Sequence, residues 1–274
     1  MRHALILAAG LAASFLVAGC GGSSSSTGPG GATTGTHTTD LTVYFMRGEK
    51  IGAAHRVVSE TKEVGAAAVR ALLEGPTAAE REAGLGTEIP DGTQLLGLSI
   101  DGGVATVDLS GEFESGGGSL SMLARVAEVV YTLTQFPSVE KLRFELGGKA
   151  VQAIGREGIV VDSPVGRADY EDVTPAILVE SPAVGDTVRS PLHARGTANT
   201  FEATFMVNIV DSEGKVIANT FETATSGSGQ RGTFDVTVPF TLDRSGRGAL
   251  IVFESSAADG SRIHIVKIPL ELEK

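Results

Sequence analysis

The sequence predicts two folded domains of different class, an α+β domain followed by an all-β domain. Between residues 41 and 170, β-rich runs alternate with stretches in which apolar residues recur every three or four positions, as they do in amphipathic helices. After residue 175 the helical period disappears, and short alternating strands recur between turn signals. The 274 residues are enough for two domains that each bury a core of their own.

The first 19 residues have the pattern of a secretory signal peptide. Arg2 supplies a positive charge, and the apolar run over 4–17 is shorter than the roughly 20 residues that a membrane-spanning helix needs. The segment Val17-Ala18-Gly19-Cys20 resembles the bacterial lipobox, whose cysteine is lipidated on sulfur and becomes the mature N-terminus. We therefore expect lipid on Cys20; the alternative is an ordinary signal peptide with an incidental cysteine.

Composition limits the classes of partner. Cys20 is the only cysteine, so the folded part cannot contain an internal disulfide. The formal net charge of −11 argues against nucleic acid, because phosphate binding needs a concentrated basic face. It also argues against adsorption to anionic lipid, so lipid on Cys20 is the predicted membrane contact of an extracytoplasmic, lipid-anchored protein. Residues 20–40, rich in Gly, Ser and Thr, are predicted to form a flexible tether.

The first domain is predicted to contain two helices packed on a small sheet, with a short helical turn between them. The first helix is expected to be capped by Thr61 and to stop before Gly75. Thr77 and Glu80 have the spacing of a capping box, which predicts the short turn. The longest helical pattern covers 120–136 and has a wide apolar stripe. The predicted strands cover 41–46, 53–58, 93–101, 104–109, 140–146 and 150–154.

The second domain, residues 175–274, is predicted to be an all-β immunoglobulin-like sandwich. Seven short strands in about 100 residues are typical of that fold, although the Cys and Trp landmarks of antibody domains are absent. Residues 162–175, which contain Pro164 and Pro175, are predicted to form the crossing between the domains. The predicted strands cover 177–180, 192–196, 203–210, 215–223, 233–240, 249–254 and 263–272.

No set of residues in the sequence indicates catalysis, a cofactor or a metal ion. The five histidines have no metal-ligand spacing, and His55, His193 and His264 are predicted to be ordinary strand residues. The lone cysteine, once lipidated, cannot serve as a nucleophile. Arg125 and Glu128, three positions apart on the long helix, are predicted to form a solvated pair of little energetic weight. We therefore expect a protein that is not an enzyme.

One short cluster in the second domain is the candidate for a contact with a partner. It combines polar and aromatic side chains and consists of Asn199, Thr200, Phe201 and Glu202. Its simpler interpretation is a loop in which Phe201 packs into the sandwich and Asn199 bonds the backbone. Its functional interpretation is a partner contact centred on the aromatic side chain.

Five segments of the first domain resemble, in order and spacing, the GerMN domain, which is named for sporulation and spore germination proteins. They are Val43 to Phe45, Leu72 to Thr77, Ile89 to Thr93, Val104 to Ser110 and Val130 to Phe136. Segments of the second domain are similar to the immunoglobulin-like domain that commonly follows GerMN in bacterial spore germination proteins. They are Ser181-Pro182, Gly185-Asp186, Ser190-Pro191, Gly196 to Ala203 and Ser255 to Gly260.

The resemblance implies a secreted, usually lipid-anchored envelope protein linked to sporulation or germination, with no catalytic residues to carry over. GerMN domains are similar in layout to the ring-building modules of secretion and sporulation machines. The resemblance therefore also implies self-association or a scaffold role among envelope proteins. Two rival functions remain open: a module that binds peptidoglycan or another wall glycan, and a wall enzyme, which a carboxylate pair in a cleft would indicate.

Overall fold

The computed structural model describes residues 37–155 and 158–274. The predicted signal peptide, Cys20 and the tether as far as residue 36 lie outside the described residues. Among the residues that the structure describes, no helix is long and apolar enough to cross a membrane. Residues 36–274 form one compact unit.

A long hairpin begins the first domain. β1 (Thr38–Arg47) and β2 (Lys50–Ser59) pair antiparallel over their whole length, and the two-residue β3 (Leu85–Gly86) pairs with the other edge of β1. Residues 43–46 of β1 are all buried. Because successive side chains of a strand point to opposite faces, β1 is enclosed on both sides and forms the centre of the domain.

Three α-helices of the described chain belong to this domain, and they are α1 (Val64–Leu73), α2 (Ala78–Glu82) and α3 (Ser119–Leu133). The capping box predicted from Thr77 and Glu80 is confirmed at the start of α2. The cap predicted at Thr61 is wrong, because α1 begins at Val64 without a side-chain cap. The Thr61 hydroxyl instead accepts a hydrogen bond of 3.1 Å from the amide of Glu63.

The rest of the first domain forms a second, four-stranded sheet in the order β4-β5-β6-β7 and a separate pair, β8-β9. β4 and β5 form a hairpin whose turn residues Gly102 and Gly103 have φ angles of 54° and 83°, which glycine adopts without strain. β5 and β6 are parallel, and α3 provides the crossover between them. The strands are β4 (Leu95–Asp101), β5 (Val104–Leu109), β6 (Lys141–Leu146), β7 (Lys149–Ala150), β8 (Ala153–Ile154) and β9 (Ile159–Val160).

The class of the first domain is therefore mixed α and β, but its layout differs from two helices on one small sheet. Two larger sheets enclose one hydrophobic core together with the helices. The long helix α3 ends at Leu133, three residues before the predicted end at Phe136. Beyond this end, the side-chain amide of Gln135 bonds to the backbone N–H and C=O of Thr42, so the chain closes against β1.

The second domain contains two sheets, with strand orders β10-β12-β15 and β11-β17-β16-β13-β14. Side chains from both sheets form one core, in which the rings of Phe205 and Phe234 lie 4.8 Å apart between centroids. All seven predicted strands are present, and the two-residue β11 is an addition. The strands are β10 (Ile177–Ser181), β11 (Thr187–Val188), β12 (Leu192–Ala198), β13 (Thr204–Val210), β14 (Val216–Thr223), β15 (Gly232–Val238), β16 (Gly246–Ser255) and β17 (Arg262–Leu272).

The predicted crossing between the domains is a packed segment. It contains a 3-10 helix over Arg167–Val173, in which Tyr170 and Val173 are buried in the first core. β10 follows and serves both cores, since Leu178 belongs to the first core whereas its neighbours Ile177 and Val179 belong to the second. The alternation of side chains along a strand allows this double role.

Candidate partner-binding site

The predicted cluster lies in the 199–203 loop, which connects β12 to β13. A 3-10 turn over Phe201–Ala203 turns the chain between the two strands. Phe201 is 55% exposed, so the interpretation in which this ring packs into the core is wrong. Thr200 is buried, and its hydroxyl has no hydrogen-bond partner among the described residues. The loop therefore presents an aromatic ring to solvent.

The backbone of this loop is strained. Glu202 and Ala203 have φ angles of 53° and 60°, a left-handed conformation that costs a non-glycine residue about 1–3 kcal/mol. The facing loop between β14 and β15 holds them in place, because the Ser228 hydroxyl accepts a 2.9 Å bond from the Glu202 amide. The amide of Ser228, itself at φ 55°, donates a 2.8 Å bond to the carbonyl of Thr200.

A buried carboxylate fixes the loop from the other side. Glu254 is 6% exposed, and its Oε1 accepts a 2.9 Å bond from the amide of Phe201. Its Oε2 lies 2.8 Å from Nδ1 of His264, which has a φ angle of 51°. All four non-glycine residues with positive φ in the described chain therefore belong to this one connected cluster. Strained backbone persists only where the surroundings enforce it, and it concentrates at functional sites.

Asn199 connects the loop to the junction between the domains. Its Oδ1 accepts a 2.9 Å bond from the amide of Gly229, which confirms the predicted bond to backbone. Its Nδ2 donates at 3.0 Å to Glu171, which also makes a bidentate ion pair with Arg231. Burial opposes ionisation of Glu171, but the hydrogen bonds from Arg231 and Asn199 outweigh it and lower the pKa of this carboxyl.

A row of apolar side chains crosses the outer sheet surface beside the loop. Phe221 of the edge strand β14 is 63% exposed and pairs with Met206, which in turn pairs with Phe253. The guanidinium of Arg262 covers Phe253, 4.4 Å from the centre of its ring. An exposed ring on a rigid loop next to such a row can make a protein contact at low entropic cost.

The sequence indicates the loop but not the residues that hold it. His55, His193 and His264 do lie in strands, as predicted. The bonds from Glu254 and Ser228 are between residues far apart in the chain, so no local pattern could show them. Within the described ranges, no group of three or more His, Cys, Asp or Glu side chains is arranged to hold a metal ion.

A second polar network joins the two domains. Arg167 donates at 2.7 Å to Glu180, and its guanidinium lies 5.1 Å and 4.6 Å from the ring centres of Tyr44 and Tyr131. The Tyr44 hydroxyl donates at 2.6 Å to the same Glu180 carboxylate. Burial of Tyr44 raises the pKa of its phenol, so the hydroxyl remains a donor.

His55 extends this network between the domains. Its Nδ1 lies 2.8 Å from Asp186 Oδ2, and its Nε2 lies 2.9 Å from the backbone oxygen of Glu180. Both partners are acceptors, so only the imidazolium form can donate to both. The hydrogen bond to Asp186 accordingly raises the pKa of His55 despite its partial burial.

A polar cleft of about 750 Å³ opens beside this network, between the two domains. Its walls carry hydroxyl and amide groups, among them Thr42, Gln135, Thr225 and Thr233. Arg195, exposed on β12, contributes a guanidinium. Charged side chains of both signs, Arg167, Glu180 and Asp235, also line the cleft, so it suits a polar, hydroxyl-bearing molecule better than an apolar one.

The family model Germane, which is described as sporulation and spore germination, matches residues 42–152. The family model for the immunoglobulin-like domain of bacterial spore germination matches residues 176–261. Three solved structures are similar over part of the chain. A candidate lipoprotein from Clostridium perfringens is 24% identical, over 50% of this chain and 93% of its own, with a TM-score of 0.37. The first GerMN domain of the sporulation protein GerM from Bacillus subtilis is 20% identical, over 49% of this chain and 100% of its own, with a TM-score of 0.40.

The tandem GerMN domains of the same Bacillus subtilis protein are 15% identical, over 76% of this chain and 63% of theirs, with a TM-score of 0.42. No curated protein matches the chain. Because these TM-scores are low, the assignment of the two domains rests on the family models.

Proposed function

We propose that this chain, whose two domains match the family models of sporulation and spore germination and of the immunoglobulin-like domain of bacterial spore germination, is a non-enzymatic scaffold of the cell envelope. In this proposal the second domain is an immunoglobulin-like sandwich that binds an envelope protein, and lipid on Cys20 anchors the chain outside the cytoplasm. The partner is another envelope protein or a further copy of this chain.

Phe201 is the observation that carries the proposal. A ring that is 55% exposed exposes apolar surface to water without stabilising the fold. The surrounding loop is strained, and four hydrogen bonds hold it in one conformation. They join Glu254 to Phe201 and His264, and Ser228 to Thr200 and Glu202. Such preorganisation reduces the conformational entropy that is lost on binding. Aromatic side chains of this kind contribute much of the binding free energy of protein interfaces.

The test is affinity capture from cells through the native anchor, followed by reconstitution with the purified candidate partner. Phe201→Ala is expected to weaken direct binding by tenfold or more, as loss of an interface anchor does. Val57→Ala, which truncates a side chain that is 68% exposed on the first domain, is the matched control. Equal binding by both variants would refute the role of Phe201.

The anchor is tested separately. Cys20→Ala should move the protein from the membrane fraction to the soluble fraction while the far-ultraviolet circular dichroism of the released protein still shows both domains folded. Fractionation of the variant with membranes would contradict lipidation. Light scattering of residues 36–274 at high concentration tests self-association, and a monomer under those conditions would leave another envelope protein as the partner.

A second candidate function is recognition of a cell-wall glycan. The polar cleft between the domains supports it, because hydroxyl and amide groups line its walls. The measurement is pelleting of residues 36–274 with purified peptidoglycan, with Arg195→Ala and Thr223→Ala as cleft variants, since both side chains are exposed at the cleft. Glycan recognition is favoured if the cleft variants lose retention in the peptidoglycan pellet while Phe201→Ala keeps it. Absence of the unmodified protein from the pellet would exclude glycan recognition.

A further inference from the structure

A second groove between the domains has a different chemistry from the polar cleft. It has a volume of about 330 Å³, within the usual range for small-molecule sites, and lies between the β1–β2 hairpin, β10 and β17. Its walls are mainly apolar. The side chains that line it include Ile51, Ala53, Ile177, Ile265, Val266 and Ile268. Of these, Ile265 is 56% exposed, so the apolar lining continues to the surface.

Arg47 lies in the wall of this groove and carries a charge without a carboxylate partner. Its Nη1 donates at 3.3 Å to the backbone oxygen of Lys267, whereas its Nε is buried and has no acceptor among the described residues. None of the ion pairs within the described chain includes Arg47. Burial lowers the pKa of this guanidinium, and no carboxylate contributes to the shift.

Such an arrangement is costly in the isolated chain. A buried N–H group without an acceptor keeps the full free-energy penalty of its desolvation. This penalty is larger for a charged group than for a neutral one. An anion in the groove would offset part of this cost, because an oxyanion that accepts from an Nη group places its negative charge against the guanidinium.

The rim of the groove strengthens the attraction for an anion. Lys50 also lines the groove, and its Nζ donates at 2.6 Å to the backbone oxygen of Asp172 rather than to a carboxylate. Two cationic side chains therefore meet at one apolar groove in a chain whose formal net charge is −11. His264 lies there too, but Glu254 already engages it.

We propose that this groove binds an amphiphilic anion, with its alkyl chain between β10 and β17 and its carboxylate or phosphate on Arg47. Charge complementarity with Arg47 selects the anionic head group of the ligand. Burial of apolar surface binds its alkyl chain. Two sources carry this chemistry, a free fatty acid and a single-chain anionic phospholipid. A neutral amphiphile of equal length lacks the group that Arg47 would bind.

The test is titration calorimetry on residues 36–274, which form one compact unit containing both cores. The probes are sodium dodecanoate and a dodecanoyl lysophosphatidylglycerol, both below their micelle concentrations, with dodecanol as the neutral comparison. Saturable one-to-one binding of at least one anion is expected, and the tighter anion identifies the source. Shortening the carboxylate from dodecanoate to decanoate should weaken binding by about fourfold for each CH₂ group that the groove buries.

Arg47→Gln should weaken binding of the anions at least tenfold, since it removes the charge and the Nη donors while keeping a polar side chain. Arg244→Gln is the matched control, because it removes the same charge from an exposed ion pair with Glu213 outside the groove. Thermal unfolding of both variants tests that they are folded, and Ala176→Leu, which narrows the groove without changing charge, gives a second readout and should also weaken binding.

Three outcomes would overturn the proposal: no saturable binding of either anion, equal affinity of Arg47→Gln and Arg244→Gln, or binding of dodecanol as tight as that of dodecanoate. The last outcome would mean that the groove recognises apolar chains without regard to charge. If Arg47→Gln fails to fold, affinity unchanged in Ala176→Leu would equally contradict the site.

Discussion

At the scale of single residues, the most consequential side chain of the first domain is the buried Glu128. It is fully buried on α3, its Oε2 accepts at 2.6 Å from the Thr87 hydroxyl, and its Oε1 accepts at 2.8 Å from the amide of Glu88. Burial raises the pKa of Glu128 to about 8 despite these bonds. The charged form is therefore unfavourable in the folded state at neutral pH.

Glu128→Gln should remove a pH dependence of stability. Because the pKa of Glu128 is higher in the folded chain than the ordinary 4.5, its stabilising effect is complete below pH 4.5 and is lost as the pH rises through about 8. Wild type should lose up to about 1.4 kcal/mol per pH unit relative to the variant across this window. The glutamine can keep both contacts, since the Thr87 hydroxyl also accepts.

Urea unfolding of residues 36–274 followed by circular dichroism between pH 5 and 9 measures the effect. Glu49→Gln, in the exposed turn after β1, is the control and should follow wild type. Parallel pH profiles of Glu128→Gln and wild type would show that Glu128 is ionised in the folded chain.

The neighbouring Arg125 shows the limit of local reasoning at this scale. The sequence predicted a solvated pair with Glu128, but Arg125 is 2% exposed and donates to the carbonyls of Phe113 and Ser115. The spacing correctly placed the two charges on one side of α3. That side is covered by two segments that a helical pattern does not reveal, the Gly-rich connection before α3 and the segment around Thr87.

At the scale of elements, the 199–203 loop and the loop that follows β14 support each other. The two loops approach closely at Gly227, where a Cβ atom would lie 2.4 Å from the amide nitrogen of Ala203 and 2.6 Å from the carbonyl oxygen of Thr200. Only a glycine allows this contact, so the conformation that presents Phe201 depends on Gly227.

Gly227→Ala should therefore destabilise the chain by about 2 kcal/mol and increase proteolysis within the 199–203 loop. Gly246→Ala is the control, because a Cβ there meets no atom within 4 Å. Urea unfolding and timed proteolysis with mapping of the cleavage sites provide the two readouts. Equal stability and equal cleavage of both variants would show that the two loops are not coupled.

The elements themselves were the most predictable level. Strands of the second domain follow from alternation and turn residues, and the capping box of α2 follows from the spacing of Thr77 and Glu80. The division of the first domain into two sheets was not predictable, because β3 and β7 are two residues long and their pairing depends on distant partners. The candidate site was found by composition alone, whereas its rigidity depends on Glu254 and Ser228.

At the scale of the whole molecule, titratable side chains hold the two domains together. His55 on β2 faces Asp186 and the backbone of Glu180, while Arg167 engages the Glu180 carboxylate. Asp40 is a further acidic group close enough to raise the pKa of His55. The hydrogen bond from His55 lowers the pKa of Asp186 although burial opposes the shift.

The junction should weaken in mildly alkaline solution. Because the pKa of His55 is raised in the folded chain, its contribution to the free energy of unfolding is complete below pH 6.5. This contribution is lost as the pH rises through the higher pKa of the folded state. Asp186 contributes to the free energy of unfolding above pH 3.8. This contribution is lost as the pH falls through the lowered pKa of Asp186 in the folded chain. His55→Gln should therefore destabilise the chain by about 1 kcal/mol at pH 6 and by less at pH 9.

The stability of the chain with and without His55→Gln is compared in the Glu128→Gln background, so that titration of Glu128 does not contribute to the pH dependence of stability. His193→Gln, an exposed histidine bonded to Thr237, is the control. A cost of His55→Gln that stays constant from pH 6 to 9 would show that the imidazole does not change its charge in this range.

The double role of β10 has a consequence for how the chain is made. A protein emerges from its N-terminus, and its domains ordinarily fold one after another as they appear. Here the first domain lacks a core side chain until Leu178 has emerged, and that side chain arrives on a strand whose other face belongs to the second domain. A nascent chain that ends before residue 177 leaves apolar surface uncovered and open to proteases, so the two domains are completed as a single folding unit.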